Sequence, residues 1–234
     1  YRKIRNTCRF ILSNLNEFNP DTDLLDINEL EEIDKWALAK SSELTKTARE
    51  AYTKYDFYDI YHAVHNYCTI TLSNFYLDVI KDRLYVEATN SKTRRSAQTA
   101  IWYILKDLLL VLSPIIPFTV EEVWGYFPKK KELNKEYCAL NDMAEGNEFS
   151  QDETFMAKWD RISAIRDDVN KALEEKRAEK VIGKALEAKV ERRKDHRYFQ
   201  LVYDECKHVL LILFYLGYYL LEFVDIKFLV LKKL

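Results

Sequence analysis

The sequence predicts a mainly α-helical protein, and three observations carry that prediction. Gly and Pro number only four each in 234 residues, against average usage of ~7% and ~5%. An all-β sandwich and a Gly-rich phosphate cradle both need more turn residues than that. Apolar side chains recur at steps of three and four, the spacing of one helix face. Finally, 48% of the residues are hydrophobic and 32% charged, the mixture of a globular chain with a real core and not of a disordered one.

The first helix covers residues 1–18. Tyr1, Ile4, Cys8, Ile11, Leu12, Leu15 and Phe18 form its apolar face. Arg2, Arg5 and Arg9 line the opposite side, with Lys3 beside them. Pro20, Asp21 and Asp23 mark a loop. Asn28 followed by Glu31 reads as a capping box, opening a second helix that carries Leu30, Ile33, Ala37, Leu44, Ala48, Ala51 and Tyr55. A third starts near Asp56 and runs to about Tyr85 through Phe57, Ile60, Val64, Cys68, Leu72, Phe75 and Val79. A polar break at residues 89–93 precedes a fourth, with Ala97, Ile101, Ile104, Leu108 and Leu112. Pro114 and Pro117 end it, because proline lacks the N–H donor and clashes with the preceding turn. Thr119 and Glu122 form a second capping box, with Phe118 stapled on Val123. The short helix they start stops near Pro128.

Residues 1–128 therefore read as a helical bundle and 129–151 as a linker, opened by Lys129, Lys130 and Lys131 and containing Gly146. Residues 152–208 read as a helix plus a small α/β piece. There Phe155, Trp159, Ile162, Val169 and Leu173 resume helical spacing, Ile182 and Gly183 break it, and Leu186, Ala188 and Val190 alternate with charged neighbours as a short strand. Residues 195–208 suggest another helix. Residues 209–234 are an apolar tail, whose first 13 residues carry no charge before Glu222, Asp225 and Lys227 interrupt. A membrane span takes ~18 or more apolar residues, so a buried strand or helix is the reading and no membrane partner is expected. Position 1 is Tyr and the helical pattern starts at once, as expected of a piece of a longer protein.

The four cysteines, at 8, 68, 138 and 206, form no Cys-x-x-Cys, and no signal peptide precedes them. A reduced, cytoplasmic setting follows. His62, His65 and Cys68 recur every three residues, a spacing that metal ligands use. No fourth ligand accompanies them and Tyr61, Val64 and Tyr67 surround them, so packing explains the pattern and no metal site is expected. His196 and His208 have no nucleophile at a recognisable spacing. No Walker loop, dinucleotide fingerprint or nucleophile elbow occurs, so no catalytic residue is assigned.

Charge is more informative. The net charge of −2 hides strong segregation. Residues 1–9 hold four bases and no acid; residues 17–34 hold eight acids and no base. Lys92, Arg94 and Arg95 form a second basic cluster, and residues 166–197 hold 11 bases against eight acids. Basic clusters are how proteins meet nucleic-acid phosphates, although each alone also reads as a solvated face. Trp102 and Tyr103 read as core and not as base-stacking platforms.

Residues 1–15 (YRKIRNTCRFILSNL) resemble the opening of the anticodon-binding helical domain of isoleucyl-tRNA synthetases, and residues 72–85 (LSNFYLDVIKDRLY) are similar to a later block of it. Residues 94–99 (RRSAQT), 114–124 (PIIPFTVEEVW) and 182–188 (IGKALEA) resemble further blocks in the same order. The likeness covers roughly residues 1–208 and fades at the apolar tail. Valyl and leucyl relatives share the architecture; the YLDVIKDRLY block favours the isoleucyl branch.

The resemblance implies a class I aminoacyl-tRNA synthetase whose helical bundle holds the anticodon arm of isoleucine tRNA. Its catalytic domain, with ATP and Mg, would lie outside these residues, and neither signature motif, His-x-Gly-His or Lys-Met-Ser-Lys-Ser, occurs here. Bacterial members often end in a four-cysteine zinc module; none is present in this sequence. By the same likeness the first helix supplies Asn and Arg side chains to the anticodon, so Arg5, Asn6 and Arg9 lead the candidates, with Arg2 on the same side. Lys92, Arg94 and Arg95 follow. Asp21, Asp23 and Asp26 are expected to face away from RNA. A monomer is expected. The alternatives are a valyl or leucyl synthetase domain and, from a different class, a helical scaffold that binds another protein.

Overall fold

The computed structural model describes residues 1–134, 136–181, 188–189 and 229–230. In chain order these give α1 (Arg2–Asn14), a 3₁₀ turn (Ile27–Glu29), α2 (Glu32–Thr53), α3 (Phe57–Asn66), a π-helical segment (Tyr67–Tyr76), α4 (Leu77–Val79), α5 (Lys81–Tyr85), α6 (Lys92–Leu112), α7 (Pro117–Tyr126), a 3₁₀ turn (Cys138–Leu140), α8 (Glu153–Ala178), β1 (Ala188–Lys189) and β2 (Leu229–Val230). The protein is mainly helical, as the sequence predicts.

α6 is the centre of the bundle. Ala97, Ala100, Ile101, Ile104, Leu105, Leu108, Leu109 and Val111 cover about half its circumference, Ser96, Thr99, Trp102 and Leu110 cover the other half, and all are buried, as expected of a helix enclosed by its neighbours. α1, α2, α5 and α7 pack against it. α1 contributes Ile4, Cys8, Ile11 and Leu15, each on its predicted face.

Several local expectations are corrected. Asn28 does not cap α2: Asp26 caps the 3₁₀ turn by accepting from the Asn28 N–H, and α2 starts after Glu31, whose N–H donates to Ser96 Oγ at 2.9 Å. The Thr119–Glu122 box does not form either. Pro117 occupies the first position of α7, where its fixed φ suits a helix and its missing donor costs nothing. The helix thus begins two residues ahead of Thr119, and Phe118 is 92% exposed instead of stapled. Tyr55 lies outside the core because it adopts φ 58°. There it closes α2 in a Schellman turn, with the Asp56 N–H on Ala51 O and its own on Tyr52 O. Tyr1 and Phe57 are also exposed.

The third predicted helix is interrupted by π-helical turns over Tyr67–Tyr76. Ser73 Oγ donates to Cys68 O, five residues back, at 2.7 Å. The wider turn advances the phase, so Ile80 and Leu84 reach the core and Val79 does not.

Residues 129–151, read above as a linker, carry only one 3₁₀ turn but are fastened down along their length. Glu121 accepts from the Cys138 and Ala139 N–H groups, Arg49 donates to Met143 O and Ala144 O, and Phe149 is buried. Gly146 lies against α2 at φ 85°, where a Cβ would sit 2.6 Å from the Lys46 backbone nitrogen.

The chain divides into two compact units, Tyr1–Glu153 and Thr154–Leu234. In the second, α8 buries Trp159, Ile162, Val169 and Leu173 along one stripe, and Ala188 and Lys189 pair antiparallel with Val230 and Leu229. The predicted helix at 195–208, His196, His208 and the apolar run 209–221 lie outside the described residues.

Candidate nucleic-acid interface

α1 presents its polar side as a continuous stripe. Steps of four and three residues place Arg2, Asn6, Arg9 and Ser13 along one line of the surface, and Arg2, Arg5, Asn6 and Arg9 are all exposed. The first turn of α1 holds no acid, so the partial positive charge of the helix N-terminus adds to Arg2, Lys3 and Arg5. Arg5 meets one acid, Glu122 of α7, at 3.7 Å, and both ends of that pair are about half exposed. Among the described residues no carboxylate pairs with Arg2 or Arg9. Seven residues at ~1.5 Å rise put Arg2 and Arg9 about 10 Å apart along the axis. An exposed, uncompensated cationic stripe of this kind attracts phosphates.

The second cluster, at the start of α6, is built differently. Ser91 caps the helix by accepting from the Arg94 N–H. Lys92 pairs with Glu29 at 3.2 Å. Arg94 donates to Glu87 O at 3.1 Å, within a loop where Glu87 also accepts from the Ser91 and Thr93 hydroxyls. Arg95 pairs with Asp23 at 3.2 Å with only 12% of its side chain exposed. It also donates to Gln98 and Asn90 and lies over the Phe18 ring. Three cations at a helix N-terminus repel its dipole; here acids from the preceding loops pair with Lys92 and Arg95, and a backbone carbonyl holds Arg94. The residues expected to face away from RNA are part of that fastening. Asp23 holds Arg95, Asp21 accepts from the Lys131 N–H, and Asp26 caps its turn.

The structure thus separates the sequence candidates into a set on α1 in which Arg2 and Arg9 have no carboxylate partner among the described residues and a set on α6 in which Lys92 and Arg95 are paired. Beneath the α6 cluster lies a buried ion pair that sequence reasoning missed. Asp34, fully buried, accepts from Arg83 Nη1 and Nη2 at 3.0 and 2.6 Å, from Tyr76 Oη at 2.7 Å and from the Ser96 hydroxyl. Burial alone would lower the Arg83 pKa, but Asp34 outweighs it and holds the guanidinium above its ordinary value. Burial pushes the Tyr76 phenol up, and the Asp34 charge adds to it. One signal was available: Asp34 falls inside the apolar stripe of α2, between Ile33 and Ala37.

The remaining candidates are packing residues. Cys8 and Cys68 are buried, and burial pushes the Cys8 thiol up to about 12 and that of Cys68 higher. His62 contacts the rings of Tyr58 and Tyr61, and His65 stacks on Tyr61. Trp102 is core and donates to Pro128 O at 2.7 Å. Among the described residues no group of three or more His, Cys, Asp or Glu converges as a metal site.

A family model described as the anticodon-binding domain of tRNA ligase matches residues 34–192, more than half of the chain. The chain belongs to this family. It is 48% identical over 194 residues to an isoleucine–tRNA ligase of Brevibacillus brevis, covering 81% of this chain and 20% of that protein. Isoleucine–tRNA ligases of Caldanaerobacter subterraneus and Bacillus mycoides are 44% and 47% identical, over 82% and 81% of this chain and 20% of each relative. The chain therefore spans about a fifth of the length of the curated relatives it matches. In this anticodon-binding domain α1 lies ahead of the segment matched by the family model, which begins inside α2 and contains α3 to α8. Among the described residues no helix is long and apolar enough to cross a membrane.

Proposed function

We propose that the chain is the anticodon-arm binding module of an isoleucine–tRNA ligase. It holds isoleucine tRNA for aminoacylation, with ATP and Mg, by a catalytic domain elsewhere in that cytoplasmic protein. The family match supports RNA as the partner, and the cations of Arg2 and Arg9, without a carboxylate partner among the described residues, are the observation that supports α1 as its site. Phosphate contacts set position and contacts to base edges set identity; anticodon bases are unpaired, so their edges are open to side chains. Arg2, Arg5 and Arg9 take the phosphates. Asn6, between Arg2 and Arg9, both donates and accepts hydrogen bonds and reads a base edge. Lys92, Arg94 and Arg95 act as positioning residues that hold the acidic loop against α6.

Binding of isoleucine and valine tRNAs at two salt concentrations tests this reading. Arg2→Glu should weaken both tRNAs equally and lower the salt slope by ~1. Asn6→Ala should cost ~1–3 kcal/mol on the isoleucine tRNA alone. A wild-type chain that shows no salt-sensitive binding of either tRNA overturns this reading and leaves the protein-binding scaffold.

A further inference from the structure

α1 and α7 run side by side in matched register. Tyr1 Oη and Thr119 Oγ1 are 3.0 Å apart, and Arg5 meets Glu122 one turn further along. The next turn brings Arg9 and Tyr126 to the walls of one open recess of about 490 Å³, which Leu12, Ser13, Asn16 and Pro128 complete. The first two rungs of this ladder are closed by side-chain contacts. The third is open.

Three features of the recess go together. Tyr126 is 79% exposed, so its ring is not there to fill the core. Asn16 is exposed, and its amide makes no hydrogen bond among the described residues, leaving a donor and an acceptor side by side. Arg9 brings a cation without an acidic partner. The recess also lies at the C-terminal end of the stripe Arg2–Asn6–Arg9–Ser13, and it shares Arg9 with the residues assigned to phosphates above. We propose that it receives one unstacked RNA base. Tyr126 stacks on the face of the base, the Asn16 amide reads its edge, and Arg9 holds the phosphate beside it. Aromatic stacking is tolerant of base identity, so Asn16 supplies the discrimination. This proposal rests on the anticodon-arm reading and extends it to residues that neither the charge pattern nor the motifs single out.

The test uses the full chain and the anticodon stem–loop hairpin of isoleucine tRNA, intact or with each loop base in turn replaced by an abasic site. Tyr126→Ala should weaken the intact hairpin by roughly 5- to 150-fold, the range for losing a stacking ring, while Tyr126→Phe binds like wild type. For the abasic hairpin that lacks the bound base, wild type should already show that loss, and Tyr126→Ala should add nothing to it. Asn16→Ala should relax base preference at the same loop position only. Unchanged thermal melting of each variant establishes that the fold is intact. If Tyr126→Ala binds the intact hairpin like wild type, or weakens every abasic hairpin by the same factor, the recess holds no base and the anticodon-arm reading survives. If wild type binds no hairpin and no tRNA, that reading fails and the recess proposal with it.

Discussion

The two basic clusters of this domain look alike in sequence and differ in what surrounds them. Residues 1–9 and 92–95 each place several cations at a helix start. On α6 Glu29 answers Lys92 and Asp23 answers Arg95, while Arg94 donates to the Glu87 backbone carbonyl. On α1 only Arg5 is answered, by a half-exposed Glu122. A run of bases is therefore not itself an interface. Whether its charges are already paired is decided by tertiary structure alone.

The largest effect should come from the foundation under the α6 cluster. Arg83→Met leaves Asp34 buried without its counter-charge, and removing one partner of a buried pair costs about 3–5 kcal/mol. Urea denaturation should show that loss of stability; a change under ~1 kcal/mol would mean that the buried pair does not hold this part of the fold.

Next in size is a direct contrast between the clusters. Arg95→Ala removes a largely buried ion pair and two further hydrogen bonds, and should cost ~1–3 kcal/mol of stability. Arg9→Ala, exposed and unpaired, should stay within ~0.5 kcal/mol. Equal destabilisation by the two variants would erase the distinction.

A smaller effect concerns the segment that fastens α2. Burial pushes the Glu148 carboxyl up, but backbone N–H groups outweigh it and hold the pKa below its ordinary 4.5; those of Glu145, Gly146 and Asn147 lie 2.8–3.1 Å from its oxygens. A depressed carboxyl stabilises the fold fully above its unfolded value and loses that contribution as pH falls through the lower folded value. Stability should therefore decline below about pH 4.5, and Glu148→Gln should flatten that part of the profile. A Gln variant with the wild-type profile would assign the acid sensitivity to other groups.

Much of the fold was legible because helices advertise themselves by period. The faces of α1 and α6 fall where the spacing of Ile4, Cys8, Ile11 and of Ala97, Ile101, Ile104 places them. Helix starts were less legible: Asn28–Glu31 and Thr119–Glu122 carry capping signatures, but Ser96 and Pro117 decide where α2 and α7 begin. The π-helical turns were invisible to a 3.6-residue template. The fastening of residues 129–151 was hidden because it uses backbone groups and the close approach of Gly146 to α2. At the site, the cations of α1 were legible as residues but not as unpaired ones. On α6 the ion pairs of Lys92 and Arg95 were hidden because Glu29 and Asp23 lie far away in the chain. Tyr126 and Asn16 gave no signal at all, since two helices must be laid side by side before they share a recess.

The measurement that bears most directly on the contrast is the salt dependence of isoleucine-tRNA affinity for wild type, Arg9→Gln and Lys92→Gln. Both side chains are exposed, and neither substitution should disturb the fold. Arg9→Gln should lower the slope of log affinity against log salt by ~1, and Lys92→Gln, whose charge is already answered by Glu29, should leave it within a fraction of that. The reverse pattern, with the slope lost at Lys92 and kept at Arg9, would contradict the assignment of RNA binding to α1.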